Sequence, residues 1–300
     1  MSRIHDALAR AQQARTGNDA PLVPELIPEL IPQEGRPSQL NSELTLAPEA
    51  VAAEANAWLA NCTKVAWKLD AAKMLFAGDD DYSGYGREQF RTLRSRLFQA
   101  RHSVPLKKIL IASALPREGR SFVAANLAQA LAQQQGSRVL LVDADLRSPS
   151  LHQFLGAPSA PGISEYLRGE ASETAVVQQS DVEGLWFVPA GRVVENPVEL
   201  LGSRQMSQFF DRLSPAFDWM IVDSSPAVPV SDATLLARLS NGVVLVVAAG
   251  ATPQEMAAKT RAIFADRTLL GVVLNRADDW VERLGGPAAG LERERVASSA

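Results

Sequence analysis

Residues 113–128, SALPREGRSFVAANLA, decide the fold, because they join an apolar run to a helical stretch through a short polar loop. This is the strand–loop–helix context of a phosphate-binding loop, in which backbone N–H groups and the helix N-terminus face the phosphates. Ser121 supplies the hydroxyl that such loops place on Mg²⁺. The general pattern G-x-x-x-x-G-K-S/T is met only in part, since Ala114 replaces the first glycine and Arg120 replaces the lysine. A plain turn leading into a helix is the alternative interpretation.

Outside this stretch, short apolar runs rich in Val, Ile and Leu alternate with helical stretches. We predict strands over 107–113, 138–142, 185–189, 218–222, 242–248 and 269–274. We predict helices over 87–101, 120–135, 197–213, 231–239 and 253–266. Strands that are apolar throughout indicate a sheet covered on both faces, and strand–helix alternation is typical of a parallel sheet. The sequence therefore predicts an α/β fold with a doubly wound, mainly parallel sheet that binds ligands beyond the carboxyl ends of its strands.

Three aspartates directly follow predicted strands. Asp143 and Asp145 come after the second strand, and Asp223 comes after the fourth. Carboxylates at this edge suit a phosphate and Mg²⁺ site, where one holds a metal-bound water and another acts as a base or a metal ligand. Each aspartate alone is equally well explained by helix capping or turn formation. Three of them at one edge of one sheet favour a nucleotide site.

Composition excludes several classes of protein. The 300 residues include 30 Lys and Arg against 34 Asp and Glu, a net charge of −4 that argues against a general nucleic-acid binder. One cysteine and three histidines exclude a disulfide framework and a Cys/His zinc cluster. The longest apolar run, 242–251, is far shorter than the roughly 20 residues that span a bilayer, and residues 2–15 lack the apolar core of a signal peptide. We expect a soluble cytoplasmic protein that does not insert into a membrane.

The N-terminal part of the chain differs from the rest. Ile4, Leu8 and Ala11 stand at helical spacing, prolines dominate the stretch that follows, and 48–76 is Ala-rich and expected to be helical. A short amphipathic helix on an extended spacer suits a contact with a partner. We expect the following segments: 1–20, an amphipathic helix; 21–50, a Pro-rich linker; 51–86, a helical lead-in; 87–276, the α/β domain; and 277–300, a flexible tail.

Taken together, the motifs resemble those of the bacterial tyrosine kinases of capsule and exopolysaccharide loci, within the deviant P-loop ATPases. The resemblance spans 87–276 and depends on 113–128, on VLLVDADLRSPSLHQFLG (139–156) and on DWMIVDSSPAVPVSDA (218–233). Two shorter segments, ENPVELLGS (195–203) and GVVLN (271–275), add to it. The opening MSRIHDALARAQQAR is similar to the start of stand-alone autokinases encoded with exosortase-type exopolysaccharide systems.

The resemblance implies a P-loop NTPase fold that binds ATP and Mg²⁺. It implies catalytic roles for Asp143, Asp145, Asp223 and Arg120, and Mg²⁺ coordination by Ser121, Asp143 and Asp223. It implies nucleotide contacts from Pro116, Arg117, Glu118, Gly119, Arg120, Ser121 and Phe122, with Asn275 at the adenine. It also implies a partner, the cytoplasmic tail of an inner-membrane polysaccharide co-polymerase or chain-length determinant, which would hold the protein peripheral to that membrane.

A further motif implies self-assembly. Glu88, Arg91 and Arg94 stand at i, i+3 and i+6 and share one side of a predicted helix. From the residues alone, a local surface ion pair of little energetic weight is the simpler interpretation. This pattern matches the ExxRxxR helix through which relatives assemble into rings, so the resemblance favours a homo-oligomeric ring contact.

Two departures from the family bear directly on activity, and a third, at Ser225, is a smaller one. Arg120 keeps the charge of the P-loop lysine but replaces a compact point charge with a planar fork, which alters positioning at the transferred phosphoryl group. Residues 277–300 contain no tyrosine. Tyr82 and Tyr85 are candidate substitute phospho-acceptors, although ordinary linker residues are the simpler interpretation. Ser225 precedes Pro226, where relatives usually have a second proline.

The sequence leaves competing functions. The first is an Mg·ATP-dependent tyrosine autokinase or ATPase that controls polysaccharide polymerisation and export. The second is a catalytically degenerate scaffold of the same export system, suggested by Arg120 and the tyrosine-free tail. The third is a partition-type ATPase acting on DNA or membrane, which the acidic balance disfavours, as does a C-terminal tail without the apolar face of a membrane-surface helix.

Overall fold

The computed structural model of the chain describes residues 48–78 and 84–277. The chain divides at residue 46, and all described residues lie in the unit 46–300. The lead-in before residue 87 is therefore part of the same unit as the α/β core. The predicted N-terminal helix, the Pro-rich linker up to residue 47, Tyr82 and residues 278–300 lie outside the described residues.

Eight strands form one sheet in the order β1-β4-β5-β3-β6-β2-β7-β8. Neighbouring strands are parallel throughout, except that β4 and β5 are antiparallel. The predicted α/β fold with a doubly wound, mainly parallel sheet is confirmed. The strands are β1 Thr63–Lys64, β2 Lys108–Ser113, β3 Val139–Asp143, β4 Gln178–Gln179, β5 Leu185–Val188, β6 Trp219–Asp223, β7 Gly242–Ala248 and β8 Leu269–Asn275.

Ten α-helices connect and cover the strands of the described part of the chain. None of them is both long enough and apolar enough to cross a bilayer. The helices are α1 Pro48–Ala60, α2 Gly84–Arg101, α3 Arg120–Ala132, α4 Leu151–Leu155, α5 Ile163–Leu167, α6 Glu173–Val176, α7 Pro197–Leu201, α8 Arg204–Leu213, α9 Asp232–Leu239 and α10 Gln254–Ile263, with a 3₁₀ turn at Ser214–Ala216.

Two predicted helices differ from their sequence patterns: one is much shorter, and the other is divided in two. The helix expected over 48–76 ends at Ala60, because the backbone N–H groups of Thr63 and Val65 donate to carbonyls of Val177 and Gln179 and make β1 an edge strand. The helix expected over 197–213 is two helices, α7 and α8. Its second half starts at a new N-cap, where the Ser203 hydroxyl accepts the N–H of Met206 at 3.2 Å.

The sheet separates two apolar cores, which explains its uninterrupted apolar strands. In β6, Trp219 and Ile221 pack into the core beneath α2 and α3, whereas Met220 and Val222 pack into the core on the opposite face. All four side chains are almost completely buried. Since burying a side chain of this size stabilises the fold by about 1.5–3 kcal/mol, both faces of each central strand contribute to stability.

The carboxyl ends of the three central strands meet at one edge of the sheet. β3, β6 and β2 are adjacent, and Asp143 lies opposite Asp223 in the register of β3 and β6. Ser113 ends β2 on the other side of β6. In the strand order, β3 lies on one side of β2 and β7 lies on the other. The connection from β2 to β3 therefore crosses the sheet in one direction, and the connection from β6 to β7 crosses it in the opposite direction. Such a reversal opens a crevice for ligands at this edge.

Candidate functional site

The loop between β2 and α3, predicted to bind phosphate, has an unusual backbone conformation. Gly119 has a φ of 91° and Arg117 a φ of 66°, so two of its residues are in the left-handed region. A Cβ at position 119 would collide with Nδ2 of Asn275. Glycine is therefore required at position 119 both by the conformation and by the close approach of β8. The loop leads directly into the N-terminus of α3 at Arg120.

Glu118 and Asn275 anchor this loop to the rest of the sheet. The buried Glu118 carboxylate accepts the N–H of Leu115 at 2.8 Å and the hydroxyl of Thr252. The Asn275 side chain donates from Nδ2 to the carbonyl of Glu118 at 2.9 Å. Asn275, expected at the adenine, thus holds the loop itself. Thr252 was not identified from the sequence, because nothing in its local pattern marks a contact with a residue so distant in the chain.

Arg120 turns inward, onto the acidic residues at the ends of β3 and β6. Its Nη2 donates to Asp145 Oδ2 at 2.9 Å and its Nε to Asp223 Oδ1 at 2.9 Å. Its Nη1 donates to the hydroxyl of Ser113 at 3.1 Å. The Arg120 side chain is only 9% exposed, so these are desolvated, charge-assisted hydrogen bonds.

Asp145 is held from both sides. While Oδ2 faces Arg120, Oδ1 accepts the hydroxyl of Ser225 at 2.8 Å and the backbone N–H groups of Ser148 and Arg147 at 3.1 and 3.3 Å. Ser225, which stands where relatives usually have a second proline, therefore has a role that the sequence did not reveal. It supplies a hydroxyl to the acid that pairs with Arg120.

Asp143 closes the turn that follows β3. Its Oδ2 accepts the backbone N–H groups of Ser150 and Leu151 at 3.1 and 3.0 Å, at the start of α4. Burial, together with the charge of Asp223, raises the pKa of the Asp143 carboxyl from its ordinary value of 3.8 to about 8. The capping interpretation therefore describes its contacts in this structure, and its role toward Mg²⁺ stays a prediction.

Asp223 is fully buried and incompletely paired. Its Oδ1 accepts hydrogen bonds from Arg120 and from the backbone N–H of Ser224. Its Oδ2 has no hydrogen-bond partner within residues 48–78 and 84–277. Burial raises its pKa against the opposing charge of Arg120, and the nearby Ser121 side chain lowers it. An unpaired buried carboxylate oxygen beside a serine hydroxyl is an oxygen donor set of the kind that Mg²⁺ prefers.

Groups of three or more His, Cys, Asp or Glu placed to hold a metal ion are absent from the described part of the chain. This does not conflict with an Mg²⁺ site, because Mg²⁺ usually takes one or two carboxylates and completes its shell with water and phosphate oxygens.

The other predicted loop residues divide into exposed and packed ones. Pro116 and Arg117 are exposed at the rim, where a ligand can reach them. Ser121 is half-buried at the start of α3. Phe122 instead packs edge-on against Phe90 of α2, with the ring centroids 6.0 Å apart.

The helix α2 carries the residues predicted for self-assembly. Glu88 and Arg91 are exposed and pair with each other at 3.3 Å. Arg94 donates from Nη1 to the carbonyl of Ala130 at 2.7 Å, so it satisfies a carbonyl in the last turn of α3. Tyr85 lies in the first turn of the same helix and is 49% exposed.

Comparison with known proteins identifies what this arrangement is similar to. Residues 106–277 match the ParA family model, described as an NUBPL iron-transfer P-loop NTPase. The tyrosine-protein kinase YwqD of Bacillus subtilis strain 168 is 38% identical over 190 residues, which are 63% of this chain and 80% of YwqD. The kinase domain of the Escherichia coli tyrosine kinase ETK is 31% identical with a TM-score of 0.60, over 63% of this chain and 74% of that domain.

Some relatives are much longer than this chain. The succinoglycan biosynthesis transport protein ExoP of Rhizobium meliloti strain 1021 is 37% identical over 199 residues, which are 64% of this chain but only 25% of ExoP. The similarity to ExoP is therefore confined to one part of that protein.

Proposed function

The chain belongs to the ParA family of P-loop NTPases and, within it, to the bacterial tyrosine-protein kinases, and from this premise we propose that it is an ATP-binding tyrosine autokinase that regulates exopolysaccharide or capsule polymerisation and export. The observation that carries the proposal is the meeting of the phosphate-binding loop with Asp143, Asp145 and Asp223 at one edge of the sheet.

ATP binds, in this proposal, at the N-terminus of α3, with its phosphates against the backbone of the loop around Gly119. The helix dipole and the free N–H groups of the first turn favour negative charge there. Arg117 lies exposed at the rim and adds a positive charge within reach of phosphate. The anchoring of the loop by Glu118 and Asn275 keeps it in the conformation that binding needs.

Mg²⁺ would be held by Ser121 and Asp223, with Asp143 as a further acid in the proposal. The Oδ2 of Asp223, buried and without a hydrogen-bond partner among the described residues, suits a metal ligand. When bound, Mg²⁺ neutralises the charge that develops on the transferred phosphoryl group. Asp145 takes part through Arg120, whose guanidinium it holds.

A degenerate scaffold of the same export system is the second candidate, and the position of Arg120 favours it. The guanidinium points to Asp145 and Asp223 rather than out toward a phosphate. Pulling it away would leave two buried carboxylates without their counter-charge, which is strongly unfavourable. A protein of this kind would bind nucleotide weakly and transfer no phosphoryl group.

The partner that we propose is the cytoplasmic tail of an inner-membrane polysaccharide co-polymerase. Support comes from ExoP, whose name is that of a transport protein in polysaccharide biosynthesis and which is about four times as long as the segment shared with this chain. We also propose a homo-oligomeric ring, with Glu88 and Arg91 at the subunit contact because both are exposed on α2. Arg94 would support this contact from within the subunit.

Calorimetric titration of Mg·ATP into the full chain tests nucleotide binding. We expect saturable binding, and an affinity about tenfold higher for Arg120→Lys, since a lysine cannot pair with both acids as a fork does and directs its charge to the phosphates. Ser121→Ala should weaken binding of Mg·ATP, whereas Ser148→Ala, an exposed serine at the same edge, should not. Absence of binding by both the natural protein and Arg120→Lys would exclude a nucleotide site.

Phosphotransfer separates the autokinase from the scaffold. Incubation of the full chain with Mg·ATP, followed by mass spectrometry, should detect phosphotyrosine at Tyr85 or Tyr82. Tyr85→Phe should reduce the signal, and Tyr166→Phe, whose hydroxyl is held between Glu173 and Arg212, should leave it unchanged. Clear nucleotide binding without phosphotyrosine would establish the scaffold.

A further inference from the structure

The guanidinium of Arg120 is surrounded by oxygen atoms at the centre of the site. Its three contacts are Asp145 Oδ2, Asp223 Oδ1 and the hydroxyl of Ser113, at 2.9, 2.9 and 3.1 Å. They come from the ends of three adjacent strands, β3, β6 and β2. Carboxylate and hydroxyl oxygens from converging backbone elements form the donor set that hard divalent cations prefer.

This oxygen cluster carries more negative charge than Arg120 neutralises. One guanidinium faces two carboxylates, and the side chains of Asp145 and Asp223 are 7% and 0% exposed. The second oxygen of Asp223 is buried and has no hydrogen-bond partner among the described residues. A buried carboxylate without a counter-charge is costly, so the cluster would take up another cation if the guanidinium were removed.

We infer that Asp145 and Asp223 form a divalent-cation site that this chain fills with the guanidinium of Arg120, an inference that rests on the proposed nucleotide-binding function. Arg120 acts as an internal cation that stabilises the acids when no metal is bound. In the natural protein the site is closed to Mg²⁺ alone, and removal of the guanidinium opens it.

The thermal unfolding midpoint of the full chain, measured with MgCl₂ and without nucleotide, tests this assignment. Sodium chloride at matched ionic strength controls for general screening of charge. We expect no shift for the natural protein. We expect a rise of about 3–6 °C for Arg120→Gln when Mg²⁺ is about tenfold above its dissociation constant, because a cation that binds only the folded state stabilises it. The double variant Arg120→Gln/Asp145→Asn should lose this rise.

A second arginine at the same edge provides the matched control. Arg147 donates from Nε and Nη2 to the carboxylate of Asp232 at 2.7 and 3.1 Å, so Arg147→Gln also removes a guanidinium from a buried acid. Arg147 forms its ion pair with Asp232, while Asp145 attracts it only from a greater distance, and one carboxylate does not make this site. Arg147→Gln should therefore show no response to Mg²⁺, and a response equal to that of Arg120→Gln would overturn the assignment.

If Arg120→Gln does not fold, the same Mg²⁺ measurement on Arg120→Lys tests the assignment. The lysine retains one positive charge but cannot reach both acids in the planar geometry of a fork, so a smaller rise with Mg²⁺ is expected. A natural protein that responds to Mg²⁺ as strongly as the variants, or a folded position-120 variant that does not respond, would overturn the assignment. Because nucleotide is absent throughout, the result is independent of the ATP titration that tests the proposed function.

Discussion

At the scale of single residues, Gly119 shows how closely the loop and β8 are fitted together. Gly119 has a positive φ, and Asn275 occupies the space that a side chain at position 119 would fill. Asn275 in turn donates to the carbonyl of Glu118. The glycine is therefore needed both for the backbone conformation and for the hydrogen bond that anchors the loop.

Gly119→Ala should lower the free energy of unfolding by about 2–3 kcal/mol. About 1–2 kcal/mol comes from the left-handed conformation of a residue with a Cβ, and about 1 kcal/mol from the displaced hydrogen bond of Asn275. Urea denaturation monitored by circular dichroism provides the measurement.

Gly136→Ala is the matched control for this prediction. Gly136 also has a positive φ, of 76°, but a Cβ there would have no neighbouring atom within 4 Å. Its substitution should cost only the conformational part, about 1–2 kcal/mol. In an Asn275→Ala background, Gly119→Ala should cost the same as Gly136→Ala. Equal costs of the two alanines in the natural background would contradict a contact with Asn275.

At the scale of elements, the break between α7 and α8 shows a local signal that the helical pattern concealed. The stretch 197–213 has the spacing of one helix, yet Ser203 caps a new helix that begins at Arg204. From this cap, α8 buries Met206, Phe209 and Phe210 in one core. Ser203, three residues before the first of the well-spaced apolar side chains, was a usable N-cap signal.

Ser203→Ala should lower the free energy of unfolding by about 1 kcal/mol, because the N–H of Met206 loses its side-chain acceptor. Denaturant unfolding gives this difference. Gln205→Ala, an exposed position in the first turn of α8, serves as the control and should leave stability within about 0.5 kcal/mol. A cost at Ser203 no larger than that at Gln205 would contradict the capping role.

At the scale of the whole molecule, the buried acids make stability depend on pH. The pKa of Asp143 is raised in the folded state to about 8 from 3.8, so the folded protein binds more protons than the unfolded chain between these values. Stability must then fall as the pH rises through this window. The raised pKa of Asp223 acts in the same direction.

Asp143→Asn should flatten this dependence, since an amide does not ionise. Between pH 5 and pH 8 we expect the stability of the variant to rise relative to that of the natural protein, measured as the difference in denaturation midpoint at each pH. The lowered pKa of His152 has the opposite effect on stability, but it is common to both proteins and cancels in the difference. A difference that is constant with pH would show that Asp143 is ionised in the folded protein throughout this range.

The lead-in illustrates what local patterns do not contain. The predicted long helix over 48–76 stops at Ala60, and the chain beyond it docks on α3 through Asn126. The side-chain amide of Asn126 accepts the N–H of Leu75 at 2.7 Å and donates to the carbonyl of Lys73 at 2.9 Å. Helical composition favoured continuation, but hydrogen bonds to the sheet edge and to α3 outweighed it.

The sequence by itself determined the strand–helix alternation, the two-sided sheet, the phosphate-binding loop and the three acids at its edge. These features depend on local periodicity and on the position of polar residues directly after apolar runs. Only the tertiary structure decided the strand order, the anchoring of the loop by Thr252 and Asn275, and the partners of Arg120. Arg120 lies 25 residues from Asp145 and 103 from Asp223, so its pairing depends on which strands become neighbours and not on any local pattern.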